Sequence, residues 1–375
     1  MFDVELDFVN RTEELKELDA HAREGGLLVV FGRRRVGKTR LLTRWLERRK
    51  GLYSQAIEAA RDQQLEQVVA DVRQQLEFPV APRTWSEFFA LLDQHPKDLV
   101  LCLDEFPYLV AGDASLPSVL QRWLDHRKNK KTSLILAGSS TRLMNDLVLN
   151  RSAPLFGRAR KVIDIAPMGY APFCKACAQN PSARDSFVRF SLVGGVPRYW
   201  ETVRRGQSPL ELADELFFGS SPVLEFEPSR LLKDEGVAGL NAPAVLEAVG
   251  RGAHKPSEIA GRLGVPQTHL SRLFQVLLDA RLLTRELPWG ESLRTTKRTL
   301  YRIADPTLRF WCTRRIERAG APTLVTRNRS SSRTTPRAPS KINFARCGPR
   351  AAATGKATWN STSCVKSHRV WWLER

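Results

Sequence analysis

The residues with the clearest chemistry in this chain lie between positions 32 and 39. Gly32 and Gly37 bracket four residues and are followed by Lys38 and Thr39, which matches the phosphate-binding pattern G-x-x-x-x-G-K-[ST] in full. The glycines let the backbone wrap around phosphates, the lysine bridges the β- and γ-phosphates, and the threonine hydroxyl is a ligand for Mg²⁺. The pattern therefore predicts a P-loop that binds ATP and Mg²⁺. The predicted nucleotide-binding residues are Gly32, Arg33, Arg34, Arg35, Val36, Gly37, Lys38, Thr39 and Arg40.

A pair of acidic residues, Asp104 and Glu105, follows the apolar run Leu99–Leu103. The carboxyl end of a buried strand in an α/β sheet opens into the crevice where such sheets bind ligands. Asp104 is therefore predicted to hold the metal ion together with Thr39. Glu105 is predicted to polarise the attacking water as a general base.

Two further motifs supply polar groups. The run SLILAGSS ends at Ser139 and Ser140, and we predict one serine for each of two roles: contact with the γ-phosphate or the attacking water, assigned to Ser139, and capping of the next helix. Arg158 is predicted to neutralise charge in the transition state, within the chain or from a neighbouring subunit, and the alternative is an ordinary surface arginine. The predicted catalytic residues are Lys38, Glu105, Ser139 and Arg158.

Strands and helices must alternate to position these motifs. Helical periodicity separates the apolar runs, and this alternation predicts an α/β fold with a parallel sheet covered on both faces. Thr12 is predicted to cap a first helix, and from Ser182 to about Asp234 only helical periodicity remains, which predicts a helical lid. The predicted strands are Gly26–Phe31, Leu52–Ala56, Leu99–Leu103, Ser133–Ala137 and Val162–Ile165.

Between Ala242 and Ile303 the order is helix, helix, turn, helix and basic hairpin, which predicts a winged helix-turn-helix. If this unit binds duplex DNA, polar residues of its third helix face a groove and basic residues of its hairpin contact phosphates. The alternative is that the helix packs against the α/β core and the hairpin charges are merely solvated. The predicted DNA-binding residues are Gln267, Thr268, His269, Ser271, Arg272, Gln275, Arg294, Lys297 and Arg298.

The composition limits the class of protein. The 375 residues are 42% hydrophobic and 26% charged, as in ordinary globular domains, and the apolar runs are far shorter than the ~20 residues of a membrane helix. Acidic residues near the start argue against a secretory signal, so we expect a cytoplasmic protein without a membrane partner. The net charge is +19, but residues 319–375 carry eleven Lys or Arg and one acid, Glu374, which predicts a disordered basic tail.

Seven motifs, in order, resemble those of the archaeal-type ATPases of the STAND branch of the AAA+ P-loop NTPases. They are FVNRTEELKEL, FGRRRVGKTRLL, LCLDEFPYLV, AGSSTRLM, PLFGR, LVGGVPRYW and YRIADPTLRFW, from about Phe8 to Trp311. The resemblance implies that Arg11 borders the nucleotide base and that Pro197 senses the bound nucleotide. It also implies a C-terminal nuclease-like domain, but one acid in the tail cannot form a two-carboxylate metal site, and no nuclease activity is predicted. One hypothesis is that the tail is a shifted reading frame.

The sequence thus predicts four regions: a P-loop core over residues 1–180, a helical lid over 181–238, a winged helix over 239–318 and the tail over 319–375. We expect an ATPase with slow turnover, in which Mg-ATP switches the position of a winged helix that binds DNA, a protein partner or a second copy of the chain. The alternative function is a non-hydrolysing ATP-binding scaffold or chaperone whose winged helix contacts protein.

Overall fold

One buried parallel sheet organises the first half of the chain. The computed structural model describes residues 6–49, 51–73, 76, 81–95, 99–128, 130–238, 241–292, 296 and 298–320. The strand order is β2-β3-β4-β1-β5, and each neighbouring pair is parallel, which confirms the predicted α/β class. The strands are β1 (Gly26–Phe31), β2 (Leu52–Gln55), β3 (Val100–Asp104), β4 (Ser133–Gly138) and β5 (Ala159–Asp164).

Helices cover both faces of this sheet. Alternate residues of β1 therefore serve two cores: Leu27 and Val29 share a cluster with Phe88 and Phe89, whereas Leu28 lies in the cluster on the other face. Burial on both faces explains why the sequence of β1 is uniformly apolar. The helices are α1 (Thr12–Glu24), α2 (Lys38–Glu47), α3 (Arg61–Arg73), α4 (Trp85–Gln94), α5 (Phe106–Gly112), α6 (Leu116–His126) and α7 (Thr141–Met144), which continues as a π-helical turn over Asn145–Leu149.

Two predictions about these elements are wrong. Thr12 is not the cap of α1 but its first residue, because Arg11 precedes the helix in a left-handed conformation and its side chain makes no capping bond. β5 begins at Ala159 rather than Val162. It is an edge strand whose second and third residues, Arg160 and Lys161, are charged and exposed, so the start of the strand gives no apolar signal in the sequence.

His21 is a buried histidine in the last turn of α1. Its side chain is 4% exposed, and Nε2 has no hydrogen-bond partner within the described part of the chain. Burial lowers the pKa of His21 to about 4, and the nearby positive charge of Arg160 contributes to the shift. Between that pKa and the ordinary value near 6.5, the unfolded chain binds a proton that the folded chain does not. Acidification through this range therefore favours unfolding.

We expect this histidine to lower the free energy of unfolding by about 2 kcal/mol between pH 7 and pH 5. Urea denaturation of the wild type and of His21→Leu at both pH values measures the effect, and the variant should lose less stability on acidification. The same substitution at His126, which is exposed, is the control. Equal pH dependence of the two variants would contradict the assignment.

The chain from residue 165 to 234, described throughout, contains helices and no strand, and the helical region predicted from Ser182 to about Asp234 lies within it. Its core contains aliphatic and aromatic side chains, with Phe173, Trp200 and Phe217 among the fully buried ones. The helices are α8 (Tyr170–Ala176), α9 (Arg184–Val193), α10 (Pro197–Trp200), α11 (Pro209–Ala213), followed by a π-helical turn over Asp214–Phe218, and α12 (Glu227–Asp234).

A third core lies in the following residues. It contains Phe274 and Tyr301, whose rings stack with centroids 4.4 Å apart. Its elements are α13 (Ala242–Gly250), α14 (Pro256–Leu263), α15 (Gln267–Asp279), the antiparallel pair β6 (Leu283–Glu286) and β7 (Leu300–Ile303), and α16 (Pro306–Gly320).

Helix α16 belongs to two cores. Leu308 and Cys312 lie in the third core, whereas Phe310 packs on Phe217 of the second core with ring centroids 4.8 Å apart. Beyond Gly320 the predicted tail is outside the described residues. Within the described ranges, no helix is both long and apolar enough to cross a bilayer.

Candidate nucleotide-binding site

The strand order brings three predicted motifs to one edge of the sheet. β4 lies between β3 and β1, and Phe31 at the end of β1 is paired with Gly138 at the end of β4. The P-loop after β1, the acidic pair after β3 and Ser139 after β4 therefore follow three adjacent strands at their carboxyl ends. This is the edge where open α/β sheets bind ligands.

Glycine is needed at the two glycine positions of the P-loop for different physical reasons. A Cβ atom on Gly32 would lie 2.3 Å from the carbonyl oxygen of Ile165, so the loop can pass this strand end only with glycine. Gly37 has a φ of 92°, and a Cβ there would meet no described atom within 4 Å. Val36 between them is fully buried in the core and anchors the loop. The loop thus leaves open space at Gly37 in front of α2, where a phosphate is predicted.

Lys38 is the buried cation of the P-loop. Its side chain points back into the loop, and Nζ donates hydrogen bonds to the carbonyl oxygens of Gly32 at 2.7 Å and Arg33 at 3.2 Å. Burial lowers the pKa of Lys38, while the carboxylates of Glu105 and Asp104 act in the opposite direction. The loop carbonyls therefore hold the amine in the position from which it is expected to reach phosphate oxygens.

Asp104 and Thr39 form the predicted metal-binding pair. Asp104 is fully buried, and its Oδ2 accepts hydrogen bonds from Thr39 Oγ1 at 2.8 Å and from the hydroxyl of Tyr53 at 2.9 Å. Its Oδ1 accepts the backbone N–H of Glu105 at 2.9 Å. A buried carboxylate beside an exposed hydroxyl is a set of oxygen donors that suits Mg²⁺, so these residues fit the ion.

Tyr53 on β2 is a partner of Asp104 that the sequence analysis missed. Its hydroxyl fixes the rotamer of Asp104, and a group that orients a metal ligand affects affinity about 10-fold or more. Tyr53→Phe keeps the ring and removes the hydroxyl, so we expect the Mg²⁺ concentration for half-maximal ATP hydrolysis to rise by about 10-fold.

A magnesium titration of phosphate release measures this effect. The control is Tyr170→Phe, because the Tyr170 hydroxyl bonds to the carbonyl oxygen of Pro181, away from the acidic pair. An unchanged magnesium requirement in Tyr53→Phe would remove Tyr53 from the site.

Ser139 contacts Glu105, whereas Ser140 caps the next helix. Glu105 adopts a left-handed conformation between β3 and α5, and its carboxylate accepts hydrogen bonds from the hydroxyl of Ser139 and, at 3.2 Å, from the Ser139 backbone N–H. Ser140 caps α7 by accepting the N–H of Leu143 at 3.1 Å, and it donates to Glu235 at 3.0 Å. Contact of Ser139 with a phosphate or a water stays a prediction.

Each of the three consecutive P-loop arginines forms an ion pair with an acid far away in the sequence. Arg33 pairs with Asp305 at 2.5 Å, and Arg34 pairs with Asp234 at 2.8 Å. Arg35 pairs with Glu227, whose other oxygen accepts the hydroxyl of Tyr199 at 2.7 Å. The P-loop is therefore tied to α12, to α10 and to the residue that precedes α16. Direct contact of these arginines with nucleotide stays a prediction.

The remaining predicted nucleotide contacts lie around the loop. Arg11 is 4% exposed and donates to the carbonyl oxygens of Val36 at 3.0 Å and Ala166 at 2.9 Å, so it braces the loop from the start of α1. Arg40 donates to the carbonyl oxygen of Leu6. Pro197 is the first residue of α10, two positions before Tyr199. Their contacts with a base or a phosphate stay predictions.

Arg158 does not lie at this site, and the prediction that it acts within the chain is wrong. It immediately precedes β5, whose first residue, Ala159, is paired with Leu27 near the start of β1. The P-loop follows the other end of β1, so Arg158 lies at the opposite edge of the sheet. It forms a 2.9 Å ion pair with Asp125 there, and action from a neighbouring subunit stays a prediction.

The candidate DNA-binding side chains on α15 are on its outer face. Although α15 contacts α7, the six predicted side chains are exposed: Gln267, Thr268, His269, Ser271, Arg272 and Gln275. Arg298 is also exposed and lies 3.7 Å from Glu291. Arg294 and Lys297 fall outside the described residues.

The phosphate-binding loop after β1 and the acidic pair after β3 define a P-loop NTPase. The sequence model of a family described as an ATPase domain predominantly from Archaea matches residues 8–203. The chain belongs to this family of archaeal ATPase domains.

Three further proteins are similar to this chain, one compared by sequence and two by structure. The uncharacterized protein MJECL04 of Methanocaldococcus jannaschii is 30% identical over 308 residues, which are 81% of this chain and 68% of that protein. The Walker-type ATPase PABY2304 of Pyrococcus abyssi has a TM-score of 0.65 at 19% identity, over 83% of this chain and 99% of that one. The ORC2 protein of Aeropyrum pernix has a TM-score of 0.50 at 13% identity, over 83% and 94% of the two chains. These two structures support the fold described above.

Two contacts of the site carry no sequence signal of their own. Tyr199 lies in LVGGVPRYW, one of the seven motifs that resemble the ATPase family, but its bond to Glu227 was not predicted. Asp305 lies in the quoted motif YRIADPTLRFW, where its pairing with Arg33 depends on a separation of 272 residues. The periodicity of the sequence contains no information about such pairs.

Proposed function

We propose that this chain is an ATP-dependent switch that binds Mg-ATP at the P-loop, hydrolyses it slowly and moves its C-terminal unit in response. The observation that carries the proposal is the meeting of Lys38, Thr39, Asp104 and Glu105 at adjacent strand ends. These four groups match the parts that phosphoryl transfer to water requires: a cation for the phosphates, two metal ligands and a base.

Each residue has a stated role in this reaction. Lys38 supplies positive charge to the β- and γ-phosphates, and the loop amides with the start of α2 orient them. Thr39 and Asp104 would hold Mg²⁺, which neutralises charge that develops on the phosphate oxygens. Glu105 accepts a proton from the attacking water, and Ser139 fixes the direction of the Glu105 carboxylate.

Ser139 donates two hydrogen bonds to the Glu105 carboxylate, one to each oxygen, and these hold it in one orientation. A carboxylate has about four acceptor sites, so the remaining sites can accept an attacking water. A second candidate function is a scaffold that binds ATP without hydrolysis. The two functions differ in one measurement, which is whether phosphate release requires Glu105.

In this proposal, residues 1–180 form the ATPase core, 181–238 form a lid over the nucleotide, and 239–318 form a winged helix. The sequential order of α13, α14, α15 and the β6–β7 hairpin supports the winged-helix assignment. The ion pairs of Arg34 and Arg35 with α12 support the assignment of a lid that meets the P-loop. In NTPase switches, contacts with the γ-phosphate and Mg²⁺ order a segment, and hydrolysis releases it. We expect the lid and the winged helix to move with the nucleotide in the same way.

The exposed face of α15 supports duplex DNA as the partner of the winged helix. We expect Arg272→Ala, which removes one exposed cation from that face, to reduce the slope of log affinity against log salt by about 1. Because the basic tail is present in both proteins, its contribution cancels in the comparison.

Fluorescence anisotropy with a labelled duplex at several salt concentrations measures the slopes. Arg122→Ala, which removes an exposed cation from α6, is the control. If Arg272→Ala and the control give the same slope as the wild type, the face of α15 contacts a protein or a second copy of the chain instead.

Calorimetry with ATP and Mg²⁺ tests the function as a whole, followed by phosphate release with and without duplex DNA. We expect saturable binding heat and slow phosphate release whose rate changes when DNA is added. The absence of heat would overturn the proposal. Heat without phosphate release would select the scaffold.

A further inference from the structure

Arg33 connects the predicted phosphate site to a distant helix through a single residue. Its carbonyl oxygen accepts a hydrogen bond from Lys38 Nζ at 3.2 Å, and its guanidinium forms the 2.5 Å ion pair with Asp305. An ammonium group has three donors, so a Lys38 that bridges the β- and γ-phosphates can keep only one of its two bonds to loop carbonyls, and the bond to Arg33 is the longer of the two. Binding of a nucleotide therefore acts on the residue that holds Asp305.

Asp305 uses both of its oxygens. Oδ2 receives Arg33, whereas Oδ1 accepts the backbone N–H of Leu308 at 2.7 Å, and Pro306 occupies the first position of α16. This is the arrangement of a helix N-cap. The carboxylate thus joins the P-loop to the first turn of α16. Its side chain is 5% exposed, which makes it the most buried of the three acids that pair with the P-loop arginines.

The turn at Asp305 also meets the second core. Gly194 has a φ of 60°, and a Cβ on this residue would lie 2.9 Å from the hydroxyl of Thr307 and 3.5 Å from Asp305 Oδ2. The chain around Gly194 therefore packs directly against the start of α16. Since α16 contributes side chains to both the second and the third core, a change at its first turn reaches both.

We propose that Asp305 is a positioning residue of the nucleotide site, which couples the conformation of the P-loop to α16 through Arg33. The proposal rests on the proposed function, because it requires that the P-loop binds nucleotide. It names the contact by which nucleotide binding reaches the C-terminal unit.

Hydrogen exchange measured by mass spectrometry on the full chain tests the coupling, with AMP-PNP and Mg²⁺ as the probe. In the wild type, AMP-PNP should change the exchange rate of amides at residues 308–313 by about fivefold. Asp305→Asn keeps an oxygen for the Leu308 N–H but loses the charge that holds Arg33. We expect this variant to bind AMP-PNP while the response in α16 disappears.

Asp164→Asn is the matched control. Asp164 at the end of β5 forms an ion pair with Arg281, which follows α15, so the variant also loses an ion pair between the sheet and the C-terminal unit. That pair does not involve the P-loop, and the response of α16 to AMP-PNP should persist. Loss of the response in both variants would mean that general loosening of the units explains the effect, which overturns the proposal.

A second variant covers the case in which Asp305→Asn fails to fold. That variant leaves the largely buried Arg33 without its partner, whereas Arg33→Gln/Asp305→Asn leaves neither charge unpaired. The double variant should also bind AMP-PNP without a response in α16.

The outcomes separate the coupling from the function. No binding heat with AMP-PNP in the wild type overturns the proposed function and this inference with it. If the wild type binds AMP-PNP but the exchange of α16 does not change, the coupling is overturned and the proposed function stands. The same holds if α16 responds equally in the wild type and in Asp305→Asn.

Discussion

Lys38→Ala should reduce ATP hydrolysis by about 100-fold or more, because a preorganised positive charge at the transferring phosphate is removed. Lys38 Nζ is the group that the P-loop carbonyls of Gly32 and Arg33 hold inside the loop. We also expect weaker nucleotide binding, since the same charge acts on the bound phosphates. Phosphate release under saturating Mg-ATP measures the first effect, and calorimetry measures the second.

The comparison needs a lysine whose loss has no reason to affect the site. Lys16 on α1 is such a residue, because its side chain is 67% exposed and its Nζ forms a 2.8 Å ion pair with Glu13 on the same helix. Lys16→Ala should match the wild type in both measurements. Both proteins should also be assayed with duplex DNA, since a change of rate that depends on Lys38 would link DNA to the ATPase. Hydrolysis by Lys38→Ala at the wild-type rate would contradict the assignment of the P-loop.

Glu105→Gln should reduce hydrolysis by about 10²–10⁴-fold while AMP-PNP binding is retained. Glutamine preserves the size of the side chain, and its amide oxygen can accept the Ser139 N–H while its NH2 group donates to the Ser139 hydroxyl, but it does not take a proton from water. Selective loss of the chemical step is therefore expected of a general base. A single-turnover measurement of phosphate release, combined with calorimetry, separates the chemical step from binding.

Glu47→Gln at the exposed end of α2 is the matched control and should leave both quantities unchanged. Equal phosphate release by Glu105→Gln and the wild type would mean that another group acts as the base. No phosphate release by the wild type, together with normal AMP-PNP binding, would favour the scaffold function over the switch.

The sequence predicts the chemical centre of this site because each of its motifs is a short continuous stretch of the chain. The P-loop, the acidic pair and Ser139 each follow an apolar run, and adjacent parallel strands bring the three run ends to one edge. The error on Arg158 comes from the same geometry. A residue directly before a parallel strand lies at the amino edge, opposite the site, and the ion pair with Asp125 is found there.

The contacts around this centre are not predictable in the same way. Arg33 and Asp305 are 272 residues apart, and Arg35 and Glu227 are 192 residues apart. Charged residues of this kind are usual on solvent-exposed surfaces, so neither composition nor periodicity distinguishes a paired arginine from a solvated one. Tyr53 is missed for a related reason, since an aromatic residue in a strand normally indicates packing rather than a hydrogen bond to a metal ligand.

Because α16 packs into both the second and the third core, the protein should be difficult to divide into separately expressed fragments. A cut at residue 238 would leave Phe310 in the C-terminal fragment and its ring partner Phe217 in the N-terminal one. Each fragment would then carry a bare aromatic surface, which promotes aggregation during expression. Separate fragments should therefore be less soluble than the intact chain, and mixing them during refolding should recover material that neither yields by itself.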